Sequence, residues 1–323
     1  MKDNRYNNIE ETEFEEDYAS ENEEGYDSEY EEYDSEYNEE YDSEYEEEYE
    51  DEYEEEPPVK TKKRRRRNVI SIILIVIAAA VFAFAAYKVI TISKGYSDAE
   101  DVYRKTAEEV LPEPADENDP DSLGWNWDFS KLTDINPDVK GYLYMRGDLK
   151  NKVNYPVVQG YDNDYYLYRL INGESNRSGS LFIDYRIEDG MNARNCIIYG
   201  HNMNNEAMFG CLSDYENKAF FEKHKEFDVF IGYDHYIYKV FAAFQTDVEG
   251  FVYTYDFPTD DDFMNFIQKA VDTQQYDFGV DYDYFTPDSK IITLSTCTDV
   301  YDADLRFVVL LVRDRKVENN ITR

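Results

Sequence analysis

The stretch "SKIITLSTCTDVYDADLRFVV" (residues 289–309) sets Cys297 at the end of a β-branched run and Arg306 nine residues later, at the head of a second apolar run. A cysteine is a nucleophile only as its thiolate, so a reactive one needs a cationic neighbour and some exposure. Acyl transfer also needs a proton donor for the leaving amine and a donor to the developing oxyanion. The chain offers three histidines. His224 lies in "FEKHKEF", a charged helical stretch that belongs at the surface, and His235 follows Tyr233-Asp234 in an expected hairpin turn. His201 is placed differently, after "CIIYG" and before "NMNN", where a buried strand emerges into a polar loop. Cys297 has the same placement at the end of "IITLST". Arg306 heads another strand and can bring a fixed charge with forked donors to the same rim.

Each of these residues also has an ordinary structural role. A lone Cys after an apolar strand is commonly a small buried hydrophobe, a lone loop His is solvated, and an Arg heading a strand faces water. Spacing alone leaves both alternatives open. Cys196, in the strand leading to His201, is expected in the core, and Cys211 is expected half-buried on a helix. A Cys196–Cys211 disulfide stays open as well, because connectivity is not written in spacing. Three scattered histidines lack ligand spacing, so no metal site is expected. Nothing calls for a cofactor.

The elements that must position the trio are mostly strands. "VNYPVVQ" (153–159), "GSLFIDY" (179–185), "NCIIYG" (195–200), "EFDVFIG" (226–232), "HYIYKVFAAFQT" (235–246), "KIITLST" (290–296) and "RFVVLLVR" (306–313) are β-branched or aromatic runs bounded by Gly, Asn, Asp or Pro. Residues 259–274 break that period. Phe263, Phe266, Ile267, Ala270 and Val271 fall at helical spacing after an Asp-rich start. Residues 205–217 and 218–225 are expected as short helices, and Asp134-Ile135-Asn136-Pro137 as a helix start. Seven strands with few helices point to a β-barrel or sandwich with helical insertions.

The rest of the chain divides by charge. Of the formal net charge of −39, residues 1–58 contribute −27, with 29 Asp/Glu against Lys2 and Arg5. The unit DSEY recurs there at 27–30, 34–37 and 42–45. Dense like charge with tyrosine as almost the sole apolar residue resists collapse. The segment is expected to be disordered, as a solvated tail or as a docking or tyrosine-modification segment. An acidic surface of this kind argues against nucleic-acid binding, which needs Lys/Arg surfaces.

The basic block Lys60–Arg67 comes next, then 19 uncharged residues from Val69 to Tyr87. At about 1.5 Å rise per residue this run nearly spans a hydrocarbon core, and it has no polar face for water. A cleaved signal peptide is disfavoured by the length of the run and by the residues before it. The basic block places the tail in the cytoplasm and residues from about 92 onward outside, with anionic lipid as a partner of the block. Four segments are expected: a disordered acidic tail ending in the basic block (1–67), a transmembrane helix (68–92), an extracellular stalk (93–125) and a catalytic domain (126–323).

"TLSTC" followed by an Arg leading a hydrophobic strand, with "YGHN" upstream, resembles the sortase family over about residues 130–315. "YPVVQGYDNDYYLYR", "GSLFIDYR" and a helix before the final strands are most similar to class B sortases. The resemblance implies a closed sortase-type β-barrel with N-terminal helices, and a cysteine transpeptidase that cleaves an NPxT-like C-terminal sorting signal of secreted proteins. The products are joined to a cell-wall peptidoglycan precursor amine. It further implies Cys297 as nucleophile forming a thioester, His201 as general acid and then base, and Arg306 as oxyanion donor. Asn163, Leu167, Tyr199 and Ser295 match positions lining the substrate groove, and Asp299 matches an acidic position that is either an orienter of His201 or a solvated loop carboxylate. The resemblance says nothing about the acidic repeat. Pilin polymerisation, and a non-catalytic membrane scaffold signalling through the tyrosine-rich tail, are the alternatives.

Overall fold

The computed structural model describes residues 62–111, 127–147, 153–297 and 304–317. The acidic repeat and Asp299 lie outside the described residues. Eight strands among them close into a barrel: β1 (Val139–Met145), β2 (Asn154–Val158), β3 (Leu181–Ile183), β4 (Asn195–Tyr199), β5 (Glu226–Ile231), β6 (Asp234–Asp247), β7 (Ile291–Cys297) and β8 (Leu305–Val317). Their order around the barrel is β1-β2-β3-β4-β7-β8-β6-β5. The pairs β2–β3 and β4–β7 are parallel, and the others are antiparallel.

β1 is an eighth strand beyond the seven expected from sequence. It carries a bulge between Val139 and Gly141. Gly141 is required there, because a Cβ would stand 2.3 Å from the Phe230 carbonyl oxygen. The helix expected to begin at Asp134 in fact ends there. Helix α2 (Phe129–Ile135) starts at Asp128, whose side chain accepts from Ser130 N, and stops at Asn136. Pro137 disfavours helical geometry in the residue before it, and the Asn136 side chain donates instead to Tyr166 Oη and the Ile171 carbonyl, both at 2.9 Å.

β8 reads as one continuous apolar run because both of its faces are buried. Phe307, Val309 and Leu311 join the main core with Leu143, Val157 and Ile197. Val308, Leu310 and Val312 meet a second cluster built by helix α4 (Asp260–Thr273) through Phe263, Phe266, Ile267 and Ala270. A capping box at Thr259 and Asp262 starts α4 where the Asp-rich signal placed it. In the expected helical stretch 205–225, only residues 218–223 form an α-helix (α3, Lys218–Lys223), and a single 3₁₀ turn spans 212–216. Positive φ at Glu206 and Met208 breaks any helix before that turn.

Helix α1 (Lys62–Val110) is continuous over 49 residues, about 74 Å at the standard rise. Its first part is long and apolar enough to cross a membrane, and the large apolar side chains from Val69 to Ile90 are exposed around the helix. Its last part is different. Ala99, Tyr103, Thr106 and Val110, spaced four, three and four residues apart, are buried as one stripe, and all but Thr106 belong to the main core. The helical portion of the segment expected as a stalk is thus packed as part of the domain. Tyr103 Oη donates to the Gly179 carbonyl at 2.7 Å, and Asn176 Nδ2 donates to the Gly95 carbonyl at 2.9 Å.

Candidate active site

Strand register alone brings the three segments together. β7 ends at Cys297, which lies directly opposite Arg306 in the antiparallel ladder with β8. Such partners stand about 5 Å apart at Cα. On the other flank β7 runs parallel to β4, with Tyr199 opposite Ser295. Gly200 N continues that ladder by donating to the Ser295 carbonyl at 3.2 Å. His201 therefore leaves β4 one strand, about 4.8 Å, from position 297. Arg306 belongs to the alternate set of Val308 and Leu310, which faces the α4 side. The site lies at that rim.

His201 is half-buried, and its Nε2 donates to the Leu167 carbonyl at 2.7 Å. A carbonyl can only accept, so Nε2 carries a proton and Nδ1 is the nitrogen left for proton exchange. Burial holds the imidazole below its usual pKa; the Leu167 carbonyl opposes this and the nearby Arg177 charge adds to it. Tyr168 packs beside the ring, with centroids 5.7 Å apart. Leu167 and Tyr168 belong to a single 3₁₀ turn, Tyr166–Tyr168. Arg306 is half-buried, and its Nη1 donates to the Leu305 carbonyl at 2.9 Å.

The four residues matched to the substrate groove fall on two sides. Asn163 Oδ1 accepts from Tyr185 N at 3.0 Å, which ties the loop before the 3₁₀ turn to the end of β3. Leu167 contributes the carbonyl that holds His201. Tyr199 and Ser295 are linked through a residue that sequence did not flag, Tyr253. Its hydroxyl is 2.9 Å from Ser295 Oγ, and its ring stacks on Tyr199 at 6.2 Å and 22°. Tyr199 Oη donates to Asp184 Oδ2 at 3.1 Å, and Arg186 grips the same buried carboxylate through Nε and Nη2 at 2.9 and 2.7 Å. Burial raises the Asp184 pKa, but the Arg186 hydrogen bonds outweigh it and leave the group below the usual carboxylate range. Tyr199 is pushed up by burial and by the Asp184 charge, so it remains a neutral donor.

The other cysteines and histidines sort differently from expectation in three cases, Cys211, His224 and His235. Cys196 is in the core as expected, a free thiol pushed well up by burial and unbridged to Cys211. Cys211 is fully buried rather than half-buried. His224 is a buried residue, not a surface one: Nδ1 donates to the Arg146 carbonyl at 2.9 Å and the ring packs on Phe220 at 4.4 Å. Its charged neighbours point outward and misled the sequence-based expectation. His235 is the second residue of β6 and fully buried.

Cys297, His201 and Arg306 stand at or just beyond the ends of three adjacent strands of a closed barrel, a placement that suits cysteine acyl transfer. The sortase domain profile matches residues 149–313. Sortase B of Staphylococcus aureus is 33% identical over 189 residues, covering 58% of this chain and 75% of the relative. Among solved structures, sortase B from B. anthracis in complex with AAEK1 aligns with a TM-score of 0.57 at 29% identity, over 69% of this chain and 100% of that one. The Staphylococcus aureus sortase B–substrate complex aligns with a TM-score of 0.55 at 27% identity, over 70% of this chain and 98% of that one. The chain belongs to the sortase family. Within it, it is a class B sortase, a cysteine transpeptidase.

Proposed function

We propose that this chain is a membrane-anchored transpeptidase that cleaves an NPxT-like signal near the C-terminus of secreted proteins and passes them to a cell-wall amine. The observation that carries the reading is the register of β7, with Arg306 opposite position 297 on one flank and His201 leaving the parallel strand on the other. In this reading the Cys297 thiol passes its proton to His201 Nδ1, and the resulting thiolate attacks the carbonyl carbon of the signal's threonine. The negative charge that moves to the carbonyl oxygen is met by the Arg306 guanidinium. As the C–N bond breaks, His201 delivers a proton to the leaving amine, and a Cys297 thioester remains. The acceptor amine then attacks the thioester, His201 takes its proton, and the sulfur departs.

The same reading assigns Asn163, Leu167, Tyr199 and Ser295 to the groove that holds the signal, with Tyr253 backing Tyr199. The apolar part of α1 supplies the anchor. The basic block sits on the cytoplasmic side against anionic lipid, and the barrel is outside. The Staphylococcus aureus relative was solved as a substrate complex, which supports a peptide lying along the equivalent face.

The test is ligation by the full chain in detergent micelles, using an NPxT pentapeptide, a scrambled control and a panel of amine acceptors. Ligated product from the NPxT peptide alone is expected. Equal turnover of the scrambled peptide, or hydrolysis with every amine, would overturn the reading. External protease on intact cells should digest residues beyond 92 and spare the tail, and the opposite pattern would reverse the topology.

A further inference from the structure

The continuous α1 touches the barrel at a place that leads directly to the candidate acid–base residue. Tyr103 is 4% exposed, and its hydroxyl donates to the Gly179 carbonyl at 2.7 Å while standing 2.9 Å from Ser180 Oγ. Those two residues fasten the turn that holds His201. Ser180 N donates to the Tyr166 carbonyl at 3.0 Å, and Ser180 Oγ donates to the Arg169 carbonyl at 2.8 Å. Gly179 packs against the next carbonyl. A Cβ built on it would stand 2.4 Å from Leu167 O and 2.8 Å from Tyr166 O, and its φ of +59° already favours glycine. Leu167 O is the atom that accepts from His201 Nε2. Four residues thus form one chain of contacts, Tyr103–Gly179–Leu167–His201, from the helix that enters the membrane to the imidazole.

We propose that Tyr103 is a positioning residue for His201: through Gly179 it fixes the Leu167 carbonyl, which selects the Nε2–H tautomer and leaves Nδ1 for proton exchange. The proposal rests on the acid–base role given to His201 above. A second contact aligns with it, since Asn176 Nδ2 donates to the Gly95 carbonyl on the same helix and Gly179 N donates to the Asn176 carbonyl at 3.3 Å. The loop before β3 is therefore tied to α1 at two points, eight residues apart along the helix. Near-attack geometry is sensitive to displacements on the ångström scale, so a helix that fixes one carbonyl fixes the proton path.

The test compares wild type, Tyr103→Phe and Gly179→Ala as full chains in detergent micelles. Two readouts are used: ¹⁵N NMR of selectively labelled histidine, and steady-state acylation of the sorting-signal peptide. Wild type should show the Nε2–H tautomer at His201. Tyr103→Phe, which keeps the ring and its edge contact with Tyr155 at 5.1 Å, should redistribute that tautomer and lower kcat about tenfold with KM within twofold. Gly179→Ala should shift the tautomer further and lower kcat about a hundredfold. An unchanged tautomer in Tyr103→Phe overturns the proposal whatever happens to thermal stability, because a merely structural fastener would lower Tm and leave the imidazole alone. If wild type fails to acylate, the functional reading falls, while the NMR comparison still decides whether Tyr103 governs the tautomer.

Discussion

Two imidazoles in this barrel are each held through Nε2 at 2.7 Å, yet one is part of the scaffold and the other is offered as a reagent. His235 is fully buried, stacked on Phe230 at 4.4 Å and 12°, and bonded to the Asp228 carboxylate. Asp228 is gripped in turn by Arg146 Nε and Nη2, both at 2.8 Å. That cluster joins β5 and β6 to the end of β1. His201 is held by a neutral carbonyl on a 3₁₀ turn, beyond the last residue of its strand. A carboxylate partner within the sheet makes an imidazole a cross-strand fastener. A carbonyl partner at the rim orients the imidazole through Nε2, and burial holds its pKa below the usual value.

The strongest way to break this contrast is to remove one imidazole and, separately, the carboxylate that holds the other. His201→Ala is expected to lower thioester formation about 10³–10⁴-fold with Tm nearly unchanged, measured by single-turnover acylation. Comparable acylation in that variant would end the acid–base assignment. Asp228→Ala should do the reverse, costing about 3–5 kcal/mol in denaturant unfolding by leaving Arg146 without its buried partner, while the folded fraction keeps its kcat. Arg306→Ala should lower kcat about 10²–10³-fold with little change in KM, as expected for a donor to the oxyanion. Arg306→Lys is expected to rescue only part of that loss, since it keeps the charge and loses the fork.

The smallest effect concerns pH. The folded state binds a proton at His201 less readily than the unfolded chain, whose imidazole titrates near 6.5. The contribution of His201 to stability is therefore complete above about pH 6.5 and declines as pH falls from there through the lowered folded-state pKa. His201→Gln should flatten that decline in a pH series of Tm values, and an unchanged series would show that the imidazole is not buried as described.

Much of this architecture is legible in residue types. Seven strands and α4 announce themselves through β-branched runs and an Asp-rich helix start. Cys297, His201 and Arg306 stand out because each sits where an apolar run meets polar sequence. β1 was hidden because "VKGYLYM" follows a proline turn and carries a glycine whose purpose, a close approach to Phe230, exists only in the closed barrel. His224 was misjudged because charged neighbours dominate its local sequence while its own ring turns inward under Phe220. Tyr253 could not be singled out in a chain with 32 tyrosines; only the pairing with Ser295 and Tyr199 marks it. The Leu167 contribution is a backbone carbonyl, and no side-chain type signals that. The stripe Ala99, Tyr103, Thr106 and Val110 carried a readable period, but its helix is continuous with the apolar run, which concealed where that run gives way to the domain.

The central claim is that the sulfur at position 297, and neither buried thiol, carries the acyl group. Intact-mass analysis and peptide mapping of the full chain, quenched in acid after incubation with an NPxT peptide, tests it directly. The account predicts one hydroxylamine-labile adduct, with the mass of the peptide up to its threonine, on the peptide containing Cys297. An adduct on Cys196 or Cys211, or cleaved peptide with undiminished rate in Cys297→Ala, would contradict it.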